Sequence, residues 1–103
     1  MIKIFKNIED GVLTFKMSGH LDENGSPAVE KELDQIVYDN IQTILFDLGA
    51  VDYISSIGIR TLIFAHKQAV KNNKTLRITA LSPKGRNILE VVGLLPLFMD
   101  KKG

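Results

Sequence analysis

Two adjacent hydroxyls, Ser55 and Ser56, stand where a short apolar run gives way to an amphipathic one, the position in this 103-residue chain best suited to chemistry. A serine at a helix start caps it, and the free N–H groups of the first turn, with the helix dipole, favour an anion. A phosphate on Ser56 would gain about 0.3–1 kcal/mol from that dipole, and Arg60, one turn on, could reach it from the same face. Ser56 and Gly58 also resemble half of a G-x-S-x-G nucleophile elbow, but Ile54 stands where the first glycine is needed. The nearest downstream histidine, His66, lies about 15 Å along the same helix, beyond the hydrogen-bond reach a general base needs. His66 therefore reads as a packed residue and His20 as a surface one. Two histidines in different elements make a poor metal site, and Gly85 and Gly93 lack the frame of a phosphate-binding loop. Asp22 either caps its loop or touches a partner, Asp47 reads as a turn-forming acceptor, and Asp52 as a solvated turn residue. No catalytic residue, metal or cofactor is expected.

The elements that must position the serines follow from periodicity. Ile2, Ile4, Phe5 and Ile8 precede an Asp10–Gly11 turn, and Val12, Leu13, Phe15 and Met17 follow it, which predicts a β-hairpin. Positions 19–25 read as loop. Ser26 as N-cap, Pro27 as first residue and Val29, Leu33, Ile36 and Val37 at helical spacing predict a helix over 27–39. Positions 43–48 predict a strand covered on both faces and ending at Asp47–Gly49. Ile59, Leu62, Ile63, His66, Ala69 and Val70 form one stripe of a helix over 56–72, capped by Ser55 or Ser56. A strand over 75–81 and a helix from Ser82 and Pro83 to a stop at Gly93 complete the order, with 94–99 docking and 101–103 fraying. The fold class is α/β, with a small mixed sheet: an N-terminal hairpin, parallel strands in the order ββαβαβα, right-handed crossovers and helices packed on the sheet.

Composition bounds the function. A chain with 45% hydrophobic and 24% charged residues suits one globular domain over 1–103. Thirteen basic against twelve acidic residues leave a net charge of +1, too little to draw nucleic acid electrostatically. Cysteine is absent, which removes disulfides and thiol catalysis. No apolar run nears the roughly 18 residues of a membrane span, so no membrane insertion is expected and the cytoplasm is the expected location.

The stretch Val51-Asp52-Tyr53-Ile54-Ser55-Ser56-Ile57-Gly58-Ile59-Arg60-Thr61-Leu62 resembles the signature loop and helix start of STAS domains, the fold of bacterial anti-sigma-factor antagonists. Ile44-Leu45-Phe46-Asp47-Leu48 is similar to the strand preceding it, and Gly19-His20-Leu21-Asp22 matches the family's glycine, leucine and aspartate before the first helix. The resemblance implies a non-enzymatic regulator whose serine, at Ser56, is phosphorylated by a partner that is both anti-sigma factor and serine kinase, with a serine phosphatase reversing the mark. The unphosphorylated form would bind the anti-sigma factor and free the sigma factor, without direct contact with nucleic acid. The implied contact set is Ser55, Ser56, Gly58, Asp22 and Arg60. Ser55 stands where many members carry aspartate, and Ile57 replaces a small residue or second serine. Some members act instead as constitutive modules that recruit lipid-transport or stress-signalling complexes. Self-association is compatible with either role.

Overall fold

The computed structural model describes residues 2–99. Strands β1 (Lys3–Glu9) and β2 (Val12–Leu21) form the hairpin; β3 (Thr43–Ile54) and β4 (Thr75–Leu81) continue the sheet in the order β1-β2-β3-β4. The first pair is antiparallel and the other two are parallel. Asp10 and Gly11 both take positive φ, 52° and 80°, the mirror-image turn whose twist matches a two-residue hairpin. Helices α1 (Ser26–Asp34), α2 (Ser56–Lys71), α3 (Pro83–Val91) and α4 (Leu95–Phe98) complete the fold, and a short 3-10 turn spans Tyr38–Asn40.

The strand order decides how the sheet is covered. Both parallel crossovers step to the next strand in the same direction, so right-handed connections carry α1 and α2 onto one face. Burial alternates accordingly: Leu13, Phe15, Ile44, Phe46, Leu76 and Ile78 are buried, whereas Thr14, Leu45 and Arg77 between them are half-buried and Lys16 and Thr79, next along their strands, are exposed. Phe15 and Phe46 meet edge to face at 5.6 Å between ring centres. The expectation that 43–48 is covered on both faces is thus corrected; its apolar look reflects Leu45, which is only half-buried.

Three boundaries also differ from expectation. β2 extends through Gly19 to Leu21, and β3 runs past Gly49 to Ile54, because each supplies the other's hydrogen-bonding partner over Ser18–Ala50 to Leu21–Ile54. Two register shifts absorb the glycines, and Gly19 takes φ 111° at one of them. The first helix stops at Asp34, not 39, because the chain must turn into β3, where Gly11 O accepts hydrogen bonds from the N–H groups of Gln42 and Thr43. Gly25, not Ser26, is the N-cap of α1, and Ser26 is buried inside its first turn. The tail docks as expected: Phe98 is fully buried, edge to face with His66 at 5.8 Å. Val70, expected on the apolar stripe of α2, is exposed. The fraying expected at 101–103 lies outside the described residues.

Candidate partner-binding site

The carboxyl ends of β2, β3 and β4 lie at one end of the sheet and lead into the N-termini of α1, α2 and α3. With no reversal of strand order there is no crevice of the doubly wound type, so this end is a rim. At its centre Ser55 is the N-cap of α2: its backbone is extended, and its Oγ accepts a hydrogen bond from the Gly58 N–H at 3.2 Å. The choice between two capping serines is thereby made. Ser56 occupies the first helical position, exposed, its hydroxyl not spent on the cap.

The close seat of α2 explains Gly58. The Ser55 N–H donates to the Leu21 carbonyl at 3.0 Å, tying the start of α2 to the end of β2. A Cβ on Gly58 would fall 2.1 Å from that same carbonyl oxygen. Gly58 is buried, so it sets the position of the serines while offering little surface of its own.

Asp22 follows Leu21 directly and is half-buried. One of its carboxylate oxygens accepts from the N–H groups of Gly25 at 2.9 Å and Asn24 at 3.0 Å, forming an Asx turn that leads into α1. The Gly25 hydrogen bond, opposed by partial desolvation and aided by the Asn24 bond, holds its carboxyl below the ordinary aspartate value. Beside it, His20 Nε2 lies 3.1 Å from Asp52, and the His20 ring meets Tyr53 edge to face at 6.0 Å. Asp52 is a residue of β3, at the register shift against β2 and touching His20 through its side chain, rather than a turn residue. Tyr53 and Ile57 are 49% and 40% exposed, an apolar flank on either side of Ser56 in sequence. Arg60 is exposed on α2 one turn after Ser56.

Two supporting contacts escaped the sequence reading. Thr61, fully buried, donates to Glu30 of α1 at 3.1 Å, or to the Ile57 carbonyl at 3.2 Å, pinning α2 against its neighbour. Ser82 caps α3 as expected, accepting from the Gly85 N–H at 3.0 Å, and in addition donates to the Val51 carbonyl at 2.6 Å, fastening the far half of β3. Thr61 is no member of the apolar stripe of α2, and no local signal links positions 82 and 51. Asp47 accepts from the Gly49 N–H at 3.0 Å, as expected of a chain-bending acceptor, although the strand continues beyond it. Among the described residues no three His, Cys, Asp or Glu side chains gather as a metal site, and no helix is long and apolar enough to cross a membrane.

The arrangement leaves an exposed rim around Ser56 where the first turn of α2 favours an anion. The profile of the STAS domain matches residues 3–102. A Bordetella bronchiseptica protein named as an anti-sigma factor antagonist, BtrV, is 32% identical over 89 residues, covering 86% of this chain and 77% of its own. The crystal structure of an anti-sigma factor antagonist from Mycobacterium paratuberculosis superposes with a TM-score of 0.82 at 26% identity, over 95% of this chain and 83% of that one. The Bacillus protein SpoIIAA, solved in unphosphorylated and phosphorylated forms, superposes at 0.80 and 0.73; at 14% identity, over 94% of this chain and 86% and 89% of those, the likeness is one of fold.

Proposed function

The chain belongs to the STAS domain family, and from that premise we propose that it is an anti-sigma factor antagonist that binds its partner through the rim around Ser56 and is released when Ser56 is phosphorylated. The observation that carries this reading is the division of labour between the two serines. Ser55 caps α2, so Ser56 is exposed at the first helical position with its hydroxyl available to a kinase. A dianion there is tolerated within the chain, because it meets the N-terminal end of the α2 dipole and can be approached by Arg60. The same dianion in a desolvated interface costs hydration energy and repels partner carboxylates, which converts one contact residue into a switch. The partner is an anti-sigma factor with serine kinase activity, and a serine phosphatase restores binding. The protein acts by binding, not by catalysis, and its place of work is the cytoplasm. Ser55 and Gly58 act through the position they give Ser56; Asp22 holds the neighbouring turn; Tyr53 and Ile57 supply apolar contact.

Incubation with the partner kinase and ATP, followed by intact-mass analysis, tests the switch. One phosphate should be gained by the native chain and none by Ser56→Ala, and Ser56→Asp should lose binding to the anti-sigma factor. Phosphate retained in Ser56→Ala would overturn the assignment. Binding that is indifferent to Ser56→Asp would instead favour a constitutive module recruiting a lipid-transport or stress-signalling complex.

A further inference from the structure

Among the described residues the sheet ends on one side in β1, an edge strand whose outward groups have no strand beside them in a single copy. The two-residue turn makes Glu9 and Val12 the closing hydrogen-bonded pair, so Glu9, Asn7, Phe5 and Lys3 direct their N–H and C=O groups at β2. Ile8, Lys6 and Ile4 consequently direct theirs outward, a row of six backbone groups on an exposed edge with no backbone partner among the described residues. The edge is also apolar for an exposed strand: Phe5 is 62% and Ile8 64% exposed. Beside it a groove of about 430 Å³, floored by Leu13 and Phe15 and walled by Ile36 and Val37, opens next to Ile8.

The sequence of β1 is complementary to itself when reversed. We propose that this edge pairs with β1 of a second copy, antiparallel about a two-fold axis at Lys6, joining two four-stranded sheets into one of eight strands. In that register Lys3 lies opposite the partner's Glu9 and Glu9 opposite the partner's Lys3, two opposite-charge pairs related by symmetry. Ile4 lies opposite the partner's Ile8 on the face that carries the helices, at the mouth of the apolar groove. Ile4, Lys6 and Ile8 fall in hydrogen-bonded pairs, so every outward N–H and C=O of the edge finds a partner. Registers displaced by two residues keep the hydrogen-bonding parity but lose both the Lys3–Glu9 and the Ile4–Ile8 matches. The two Lys6 side chains meet near the axis, where their repulsion is relieved because each ammonium is held 2.8 Å from Glu32 of its own chain. Lys3 and Glu9 have no ion-pair partner among the described residues of one copy, so their charges are available to the second. The edge does not involve Ser56, so pairing here and partner binding at the rim are separate events.

Sedimentation equilibrium over a concentration series reaching the millimolar range tests the pairing. The chain should pass from its 11.5 kDa monomer to twice that mass. Lys3→Glu, which places like charges opposite each other at both ends, should weaken the dimer at least tenfold, and the double exchange Lys3→Glu with Glu9→Lys should restore it to within about threefold. Amide hydrogen exchange supplies a readout at the edge itself: the N–H groups of Ile4, Lys6 and Ile8 should slow as concentration rises, while Lys3→Glu should abolish that dependence. A mass that stays monomeric throughout, a dimer indifferent to Lys3→Glu, or no rescue by the double exchange overturns the proposal.

Discussion

Replacing Gly58 by alanine isolates the contact on which the geometry of the rim depends. The added Cβ would lie 2.1 Å from the Leu21 carbonyl oxygen and 3.0 Å from the Leu21 carbonyl carbon and Cγ, against the 3.4 Å at which ordinary contact begins. Backbone cannot yield as a flexible side chain would, so the first turn of α2 must move by about 1.3 Å to restore ordinary contact. Overpacking of this kind costs about 1–3 kcal/mol. The same carbonyl accepts the Ser55 N–H, and loss of that bond adds about 0.5–1.5 kcal/mol. Alanine recovers up to about 1 kcal/mol through its better helix propensity. A net loss of about 2 kcal/mol follows, which for a domain of this size lowers Tm by about 8–16 °C. Thermal unfolding followed by circular dichroism reads the shift, and urea unfolding reads the free energy with an unchanged slope. A Gly58→Ala protein as stable as the parent would show that α2 is not seated on the Leu21 carbonyl, and the derived position of Ser56 would fall with it.

The two serines should separate cleanly in the same assays: Ser55→Ala should lose about 1 kcal/mol with its cap, whereas Ser56→Ala, at an exposed site, should stay within about 0.5 kcal/mol of the parent. Equal effects in urea unfolding would contradict the assigned cap. Ser82→Ala removes both the α3 cap and the bond to the buried Val51 carbonyl, and should cost about 2 kcal/mol, with faster exchange of amides in the second half of β3. Asp22 has a folded pKa below its unfolded one, so its contribution is fully present above the unfolded value of 3.8 and is lost as pH falls through the folded value. Acid titration of Asp22→Asn against the parent, read by stability, should show the two curves converging below that window; curves that stay parallel would disprove the linkage. Tyr38 runs the other way: burial, with the Asp34 charge, raises its phenol above 10.0, so the unfolded chain ionises first and stability should fall as pH rises past that value. Tyr38→Phe should remove that alkaline loss, and a loss retained in the variant would exclude Tyr38 as its source.

Local chemistry made much of this molecule legible in the chain itself. The Asp10–Gly11 turn, the stripe from Ile59 to Ala69, the Ser82–Pro83 start and the Gly93 stop are signals contained within a few residues, and each lies where the periodicity put it. The serine pair at a strand-to-helix junction was equally visible, because capping preference and the switch of apolar period coincide there. What the chain could not announce were contacts between distant segments. Glycines 19 and 49 read as breaks, yet β2 and β3 continue through them because each strand satisfies the other's backbone groups. Which serine caps and which is free depends on the Leu21 carbonyl holding the Ser55 N–H, a meeting of residues 34 positions apart. The open face of the sheet and the unpaired edge at β1 follow from strand order, which no local pattern encodes. Periodicity reports which side of an element avoids water; only tertiary structure decides what stands against that side, and so which polar groups remain for another protein.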